Sequence, residues 1–239
     1  MPSDEPPRVP RSALEGWSTQ IAPALLGVRL VSELGGERVV VRLTEVEAYM
    51  GEADPGSHAY RGRTPRTQVM FGPPGFLYVY FTYGMHWCAN VVCGPAGSAS
   101  AVLLRAGEVV EGVDAARARR PSARKAEDLA RGPARLTSAL GIDGGQNGAD
   151  LIGPGSLWLE APSQPSPEGT VRCGPRVGIR GEGGSGERFP WRFWLAGDAT
   201  VSTYRAGASR RRVRAGDDIV RAAAARTSRI RSTTERDAT

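Results

Sequence analysis

Residues 28–49 read VRLVSELGGERVVVRLTEVEAY, and this stretch decides the fold. Two runs rich in β-branched residues flank Gly35 and Gly36, the pattern of an antiparallel hairpin closed by a two-residue turn. Side chains alternate along a strand, so Glu45, Glu47 and Tyr49 share one face while Val46 and Ala48 point to the other, toward a core. The first face then carries two carboxylates and an aromatic ring. A carboxylate on a partly buried face is costly unless it has a partner or a task. The plain reading is a solvent-facing edge with both acids paired to arginines, since exposed acids are the norm.

Downstream of the hairpin, residues 51–75 are rich in Gly and Pro and hold several arginines, so they form one long loop. A loop of that length in a compact domain is functional or disordered. The segments FLYVYFTY (76–83), GMHWCANVVC and ASAVLLRAGE read as three more strands, the last two joined by the turn GPAGS. Residues 108–119 and 122–131 look helical, and 132–141 form a short Pro-initiated helix ending at Gly141. LWLEA, RVGIR and WRFWLAG are strand-like. Upstream, residues 12–27 have near-helical apolar spacing behind a Ser12 cap, interrupted by Pro23.

The net charge is +6 and the pI about 9.7. Residues 206–239 alone hold nine arginines against four acids, which is +5 of that total. Basicity of this kind suits a nucleic-acid binder, but here it is chiefly a property of one end of the chain. The expected organisation is a disordered Pro-rich lead-in over 1–11, one domain over 12–205, and a basic tail over 206–239 that is disordered or weakly helical. The apolar runs are short and interrupted by charge, so no membrane span is expected, and residues 1–11 lack the apolar stretch of a signal peptide. Three cysteines without metal-type spacing point to a reducing, cytoplasmic setting.

Five of the six tyrosines fall between positions 49 and 83, together with His58, Glu45 and Glu47. Spacing alone favours core packing for Tyr78 and Tyr80. Tyr83 precedes Gly84, where the strand bends, so it is expected at an exposed tip, where an aromatic ring is unusual unless it contacts something such as bases. His58, His86, Glu45, Glu47 and Cys88 have no metal-ligand spacing. Phosphate-cradling, dinucleotide-binding and nucleophile-elbow motifs are absent.

The block TEVEAYMGEADPGSHAYRGRTPRTQVMFGPPGFLYVYFTYGMHWCANVV resembles the signature of the alkyladenine (3-methyladenine) DNA glycosylase family, and RGPARLTSALGI and RVGIR follow in the same order. The resemblance covers about residues 17–205. It implies an α+β fold: a single mixed domain around a curved antiparallel sheet with flanking helices. It implies a monofunctional DNA glycosylase that flips alkylated or deaminated purines out of duplex DNA and hydrolyses their N-glycosidic bonds with an activated water, initiating base excision repair. Glu47 matches the water-activating base. Tyr49 and His58 match the residues that sandwich the flipped base, and Tyr80 the third aromatic of that pocket. Tyr83 matches the wedge into the minor groove, Asn90 the residue that clashes with the 2-amino group of guanine, and Arg105 an arginine near the sugar-phosphate. Arg61 and Arg66, in the long loop, are expected to contact DNA. His86 stands where relatives often have an aromatic residue. No metal or organic cofactor is implied. The expected partner is double-stranded DNA containing damaged purines, and the expected state a cytoplasmic, nucleoid-associated monomer. Lys125, the only lysine, lies in a polar stretch, so no Schiff-base step is expected. Rival readings are a silent nucleic-acid-binding module on the same fold and a metal-dependent hydrolase.

Overall fold

The computed structural model describes residues 6–162 and 169–207. The tail expected over 206–239 lies outside the described residues from position 208 onward. Within them an eight-stranded antiparallel sheet curls around three short helices, an α+β domain of the expected kind.

The hairpin forms its centre. β1 (Arg29–Ser32) pairs with β2 (Val39–Tyr49). The connection runs over residues 33–38 rather than closing in two residues. A single 3-10 turn occupies Leu34–Gly36, with Gly35 and Gly36 both at positive φ, where an L side chain is strained.

β2 is the strand that organises everything else. Along one side it carries β5 (Ala101–Glu111). Along the other it carries β1 in its first half and β8 (Arg192–Leu195) in its second. The strand order is β3 (Leu77–Thr82), β4 (His86–Val92), β5, β2, β1 and β6 (Leu157–Glu160), with β7 (Val171–Gly174) paired to β8. Val46 and Ala48 are fully buried in the main core with Leu43, Leu104 and Leu140, as their face requires. Burial of the valine and leucine side chains among them is worth about 1.5–3 kcal/mol each. The opposite face is buried as well: Glu45 and Glu47 have no exposed surface. The expected arginine partners are there, but the expected solvent is not.

The helices are α1 (Ser18–Ala24), α2 (Val113–Arg119) and α3 (Pro133–Leu140). α3 begins at its proline and ends on Gly141 in the left-handed conformation, as the sequence indicates. Several further expectations are corrected. Residues 108–111 continue β5, because Val109 pairs with Val41 and β-branched Val109 and Val110 fit a ladder better than a helix. Residues 122–131 are irregular apart from a 3-10 turn at Ala126–Asp128: few apolar side chains recur there, and a short helix without a buried face does not hold. Helical geometry near the start begins at Ser18, behind a 3-10 turn at Arg11–Leu14, and not behind a Ser12 cap. RVGIR is a loop, bent at Gly178. Residues 6–11, read as lead-in, already pair with the sheet: Val9 is buried and donates its N–H to Leu159 O at 3.0 Å.

Candidate active site

β5 carries a bulge opposite the two acids. Glu45 pairs with Ala106 and Val46 with Leu104, so Arg105 is the extra residue between them. A bulge re-aims a side chain, and this one delivers a buried guanidinium to both carboxylates. Arg105 Nε donates to Glu45 Oε1 at 2.9 Å, and its Nη1 stands 3.4 Å from Glu47 Oε1. Burial lowers the Arg105 pKa, but Glu47 and Glu45 more than offset that and hold it above the ordinary value.

Glu45 is saturated. It also accepts from Arg192 Nε at 2.7 Å, from Ser202 N at 2.7 Å and from Ser202 Oγ at 2.9 Å. Glu47 is held mostly by neutral groups. The Tyr49 hydroxyl donates to its Oε2 at 2.9 Å, and the Val177 amide donates to its Oε1 at 2.7 Å. Burial, followed by the Glu47 charge, raises the Tyr49 pKa well above that of a free phenol, so this hydroxyl stays a donor.

On the far side of Tyr49 lies a cavity of about 60 Å³. Tyr49, His58, Tyr78, Tyr80 and Asn90 line it with Gly56, Met70 and Ile179. The three aromatic residues opposite Tyr49 form one cluster. His58 meets Tyr80 edge-on at 4.5 Å between centroids, Tyr78 and Tyr80 stack at 5.6 Å, and His58 Nδ1 is 3.2 Å from the Tyr78 hydroxyl. Asn90 fixes its amide by donating to Tyr78 O at 3.1 Å. Arg66 lies 5.6 Å from the Tyr80 ring centroid. His58 remains exposed on its outer side. Its inward burial and the Arg66 charge lower its pKa to about 4, so the imidazole is neutral near pH 7.

A second recess, about 390 Å³, opens beside Arg105 and Val177, both of which approach Glu47. Arg105 and Val177 contribute to its wall, and Arg131, Arg135 and Arg205 make it basic against the single acid Asp128. The carboxylate thus stands between an uncharged aromatic cavity and a cationic groove.

Tyr83 sits where the sequence puts it, at the tip between β3 and β4, 84% exposed. Tyr83 (φ 52°) and Gly84 (φ 67°) both have positive φ, and Met85 N bonds back to Thr82 O at 3.2 Å. This is a type I′-like turn, and holding a non-glycine residue there costs about 1–2 kcal/mol. Among the described residues no other non-glycine has positive φ.

Of the residues singled out in the sequence, Tyr49, His58, Tyr80 and Asn90 gather at the cavity. Glu47 does not line it and lies one hydrogen bond behind Tyr49. Arg105 is enclosed by carboxylates, touching Glu45 and lying near Glu47. Arg61 is exposed on the long loop and His86 at the start of β4, next to the Tyr83 turn. Sequence reasoning missed Tyr78 as a wall, and it missed Asp54, Arg176, Arg192 and Ser202 altogether. Only the RVGIR string hinted at Arg176, and its assignment as a strand hid the role. Among the described residues no group of three His, Cys, Asp or Glu is placed to hold a metal ion, and no helix is long and apolar enough to cross a membrane.

Residues 13–199 match the family model for methylpurine-DNA glycosylase. A protein of Streptomyces avermitilis is 57% identical over 194 residues, covering 80% of this chain and 89% of its own length. One from Leifsonia xyli subsp. xyli is 52% identical over 200 residues, covering 82% and 92%. One from Frankia casuarinae is 54% identical over 191 residues, covering 76% and 86%. Each of these relatives is assigned as a 3-methyladenine DNA glycosylase.

Proposed function

The chain belongs to the methylpurine-DNA glycosylase family, and from that premise we propose that it excises damaged purines from duplex DNA by hydrolysing the N-glycosidic bond with a water that Glu47 deprotonates. It is a DNA glycosylase of repair, acting on alkylated bases. The finer proposal is that the lesion leaves the base stack, that deaminated as well as alkylated purines are accepted, and that no covalent enzyme intermediate forms.

The observation that carries it is the position of Glu47, a fully buried carboxylate held between an aromatic cavity and an arginine-lined groove. The base of a flipped nucleotide suits the cavity, and its flanking phosphates suit the groove. The sugar then falls beside Glu47. As the bond from C1′ to the base nitrogen lengthens, its electron pair goes to the base and positive charge builds on the sugar. A carboxylate there stabilises that charge and takes a proton from the water that adds to C1′. Flipping costs a few kcal/mol. Stacking on Tyr49, His58 and Tyr80, at about 1–3 kcal/mol per base, and insertion of Tyr83 into the vacated stack offset it. Neutral His58 adds no repulsion toward a cationic lesion. Asn90 narrows the cavity against the 2-amino group of guanine, a selection by exclusion. Arg61 and Arg66 add phosphate contacts, which orient the duplex without reading sequence. A cytoplasmic, nucleoid-associated monomer fits this task.

Single-turnover excision from duplexes carrying 3-methyladenine, hypoxanthine or ethenoadenine tests the proposal. Release of the free base from at least one, without strand cleavage, is expected. Binding without release from any of them would leave a silent DNA-binding module instead.

A further inference from the structure

We infer that Arg176 is the positioning residue of the Glu47 carboxylate: its guanidinium anchors both principal hydrogen-bond donors to Glu47 and so sets the rate of excision rather than the affinity for DNA. The inference rests on Glu47 being the base.

Arg176 is buried beneath the cavity, and its side chain has no exposed surface. Nη1 donates to Asp54 Oδ2 at 2.5 Å and to Ala48 O at 2.9 Å. Nη2 donates to Asp54 Oδ1 at 2.7 Å and to Gly183 O at 2.7 Å. Those acceptors belong to three separate pieces of chain: β2, the 51–75 loop and the turn at Glu182–Gly184. Asp54 in turn accepts from Gly56 N at 2.8 Å and Met50 N at 3.3 Å, which closes the start of the loop. One planar fork therefore pins three segments at a single point. A lysine, with one compact ammonium, cannot reproduce that geometry.

Both routes from this fork end on Glu47. The guanidinium carbon lies 4.5 Å from the Tyr49 ring centroid, so the ring is seated on the cation. The Tyr49 hydroxyl then reaches Glu47 Oε2. Val177, next in the chain, sends its amide to Glu47 Oε1. Each carboxylate oxygen is thus held by a donor that Arg176 fixes, one through a ring and one through the backbone. A buried ion pair is weak evidence of stabilisation, since apolar packing often serves a fold as well. What an apolar replacement cannot supply here is the aim of these two donors.

The test measures single-turnover excision and lesion-duplex affinity for the wild type, Glu47→Gln, Arg176→Lys and Asp54→Asn, with thermal melts to establish folding. Arg176→Lys and Asp54→Asn are expected to excise roughly 10–100-fold more slowly, the scale of a small misplacement of a reacting group, with affinity within about threefold of wild type. A cycle with Tyr49→Phe adds a readout that core packing would not move. The penalty of Tyr49→Phe should shrink in the Arg176→Lys background, because the hydroxyl is then already misaimed. A folded Arg176→Lys protein with wild-type rate, a loss confined to affinity, or strictly additive penalties would overturn the inference. If Arg176→Lys does not fold, Asp54→Asn replaces it in the cycle. Failure of both to fold would mean that the pair only holds the core together, which overturns it too. An inactive wild type would sink the functional proposal. An active wild type with an inactive Glu47→Gln and an unaffected Arg176→Lys would sink this inference alone.

Discussion

Glu45 and Glu47 stand two residues apart on β2, share a face and are both fully buried, but the regions around them are built differently. Around Glu45 the partners are two arginines and the backbone and hydroxyl of Ser202, which tie β5, β8 and the segment around Ser202 into one charged knot. Around Glu47 the close donors are a phenol and an amide, and beyond the phenol lies the aromatic cavity. A carboxylate taken up by two arginines is committed to the fold. Glu47, with a phenol and an amide as its close donors and Arg105 Nη1 farther off at 3.4 Å, is the acid for which the base role is proposed. Position on a strand face does not distinguish the two acids, whereas their partners do.

The largest expected effect is on the Glu47 side. Glu47→Gln keeps shape and volume but removes the proposed base, so single-turnover excision should fall by about 10³-fold, within the usual range for a general base. Lesion-duplex affinity and melting temperature should stay close to wild type. Retention of more than a small fraction of the rate would transfer the role to Glu45 and collapse the comparison.

Glu45→Gln should do the reverse. It leaves Arg105 and Arg192 without their shared anion, and breaking a buried pair costs about 3–5 kcal/mol. Denaturant unfolding should show the loss directly. Excision per folded molecule should fall far less than in Glu47→Gln. A variant of normal stability with no activity would mean that the knot belongs to the catalytic apparatus.

A smaller effect separates DNA contact from fold at the Tyr83 turn. Tyr83→Gly relieves a positive-φ strain of about 1–2 kcal/mol, offset in part by glycine's greater freedom in the unfolded chain. Stability should hold or rise slightly. Lesion-duplex affinity should fall by about 10-fold, the order of one lost stacking contact, with less loss on bulged substrates, where the lesion is already unpaired. Equal losses on matched and bulged duplexes would make the tyrosine merely structural.

The smallest effect is in protonation. The folded-state pKa of His58 is lowered to about 4 from the ordinary 6.5, first by burial and then by Arg66. The neutral ring therefore contributes stability that is full above pH 6.5 and is lost as pH falls toward 4. The ring is exposed on its outer side, so water screens part of that term. Arg66→Ala should raise the His58 titration midpoint, as read from its imidazole NMR shifts. An unchanged midpoint would exclude Arg66 from the mouth of the cavity.

Much of the site is legible in the order of residues alone. Strand alternation puts Glu45, Glu47 and Tyr49 on one face and Val46 and Ala48 in the core, because side-chain direction in a strand is a local property. Gly84 after Tyr83 marks the exposed turn, and Pro133 with Gly141 brackets α3, since backbone preferences act within a few residues. The family block supplies His58, Tyr80 and Asn90. Local pattern misleads where pairing overrides it: residues 108–111 extend a strand because Val109 meets Val41, a partner 68 positions away.

The identity of the chemical groups and their order along the strands are thus written in the chain. Which acid is committed and which is not depends on contacts made only in the folded molecule. Arg105 reaches both through a bulge, Arg192 and Ser202 close on Glu45 from positions far along the chain, and Val177 and Arg176 reach Glu47 and Tyr49 from a loop that reads as a strand. These contacts join residues 58 to 157 positions apart, and no local preference encodes them. They arise because a sheet that buries both faces of β2 shields each carboxylate from bulk solvent, and each must be met by whatever donors the fold brings to it.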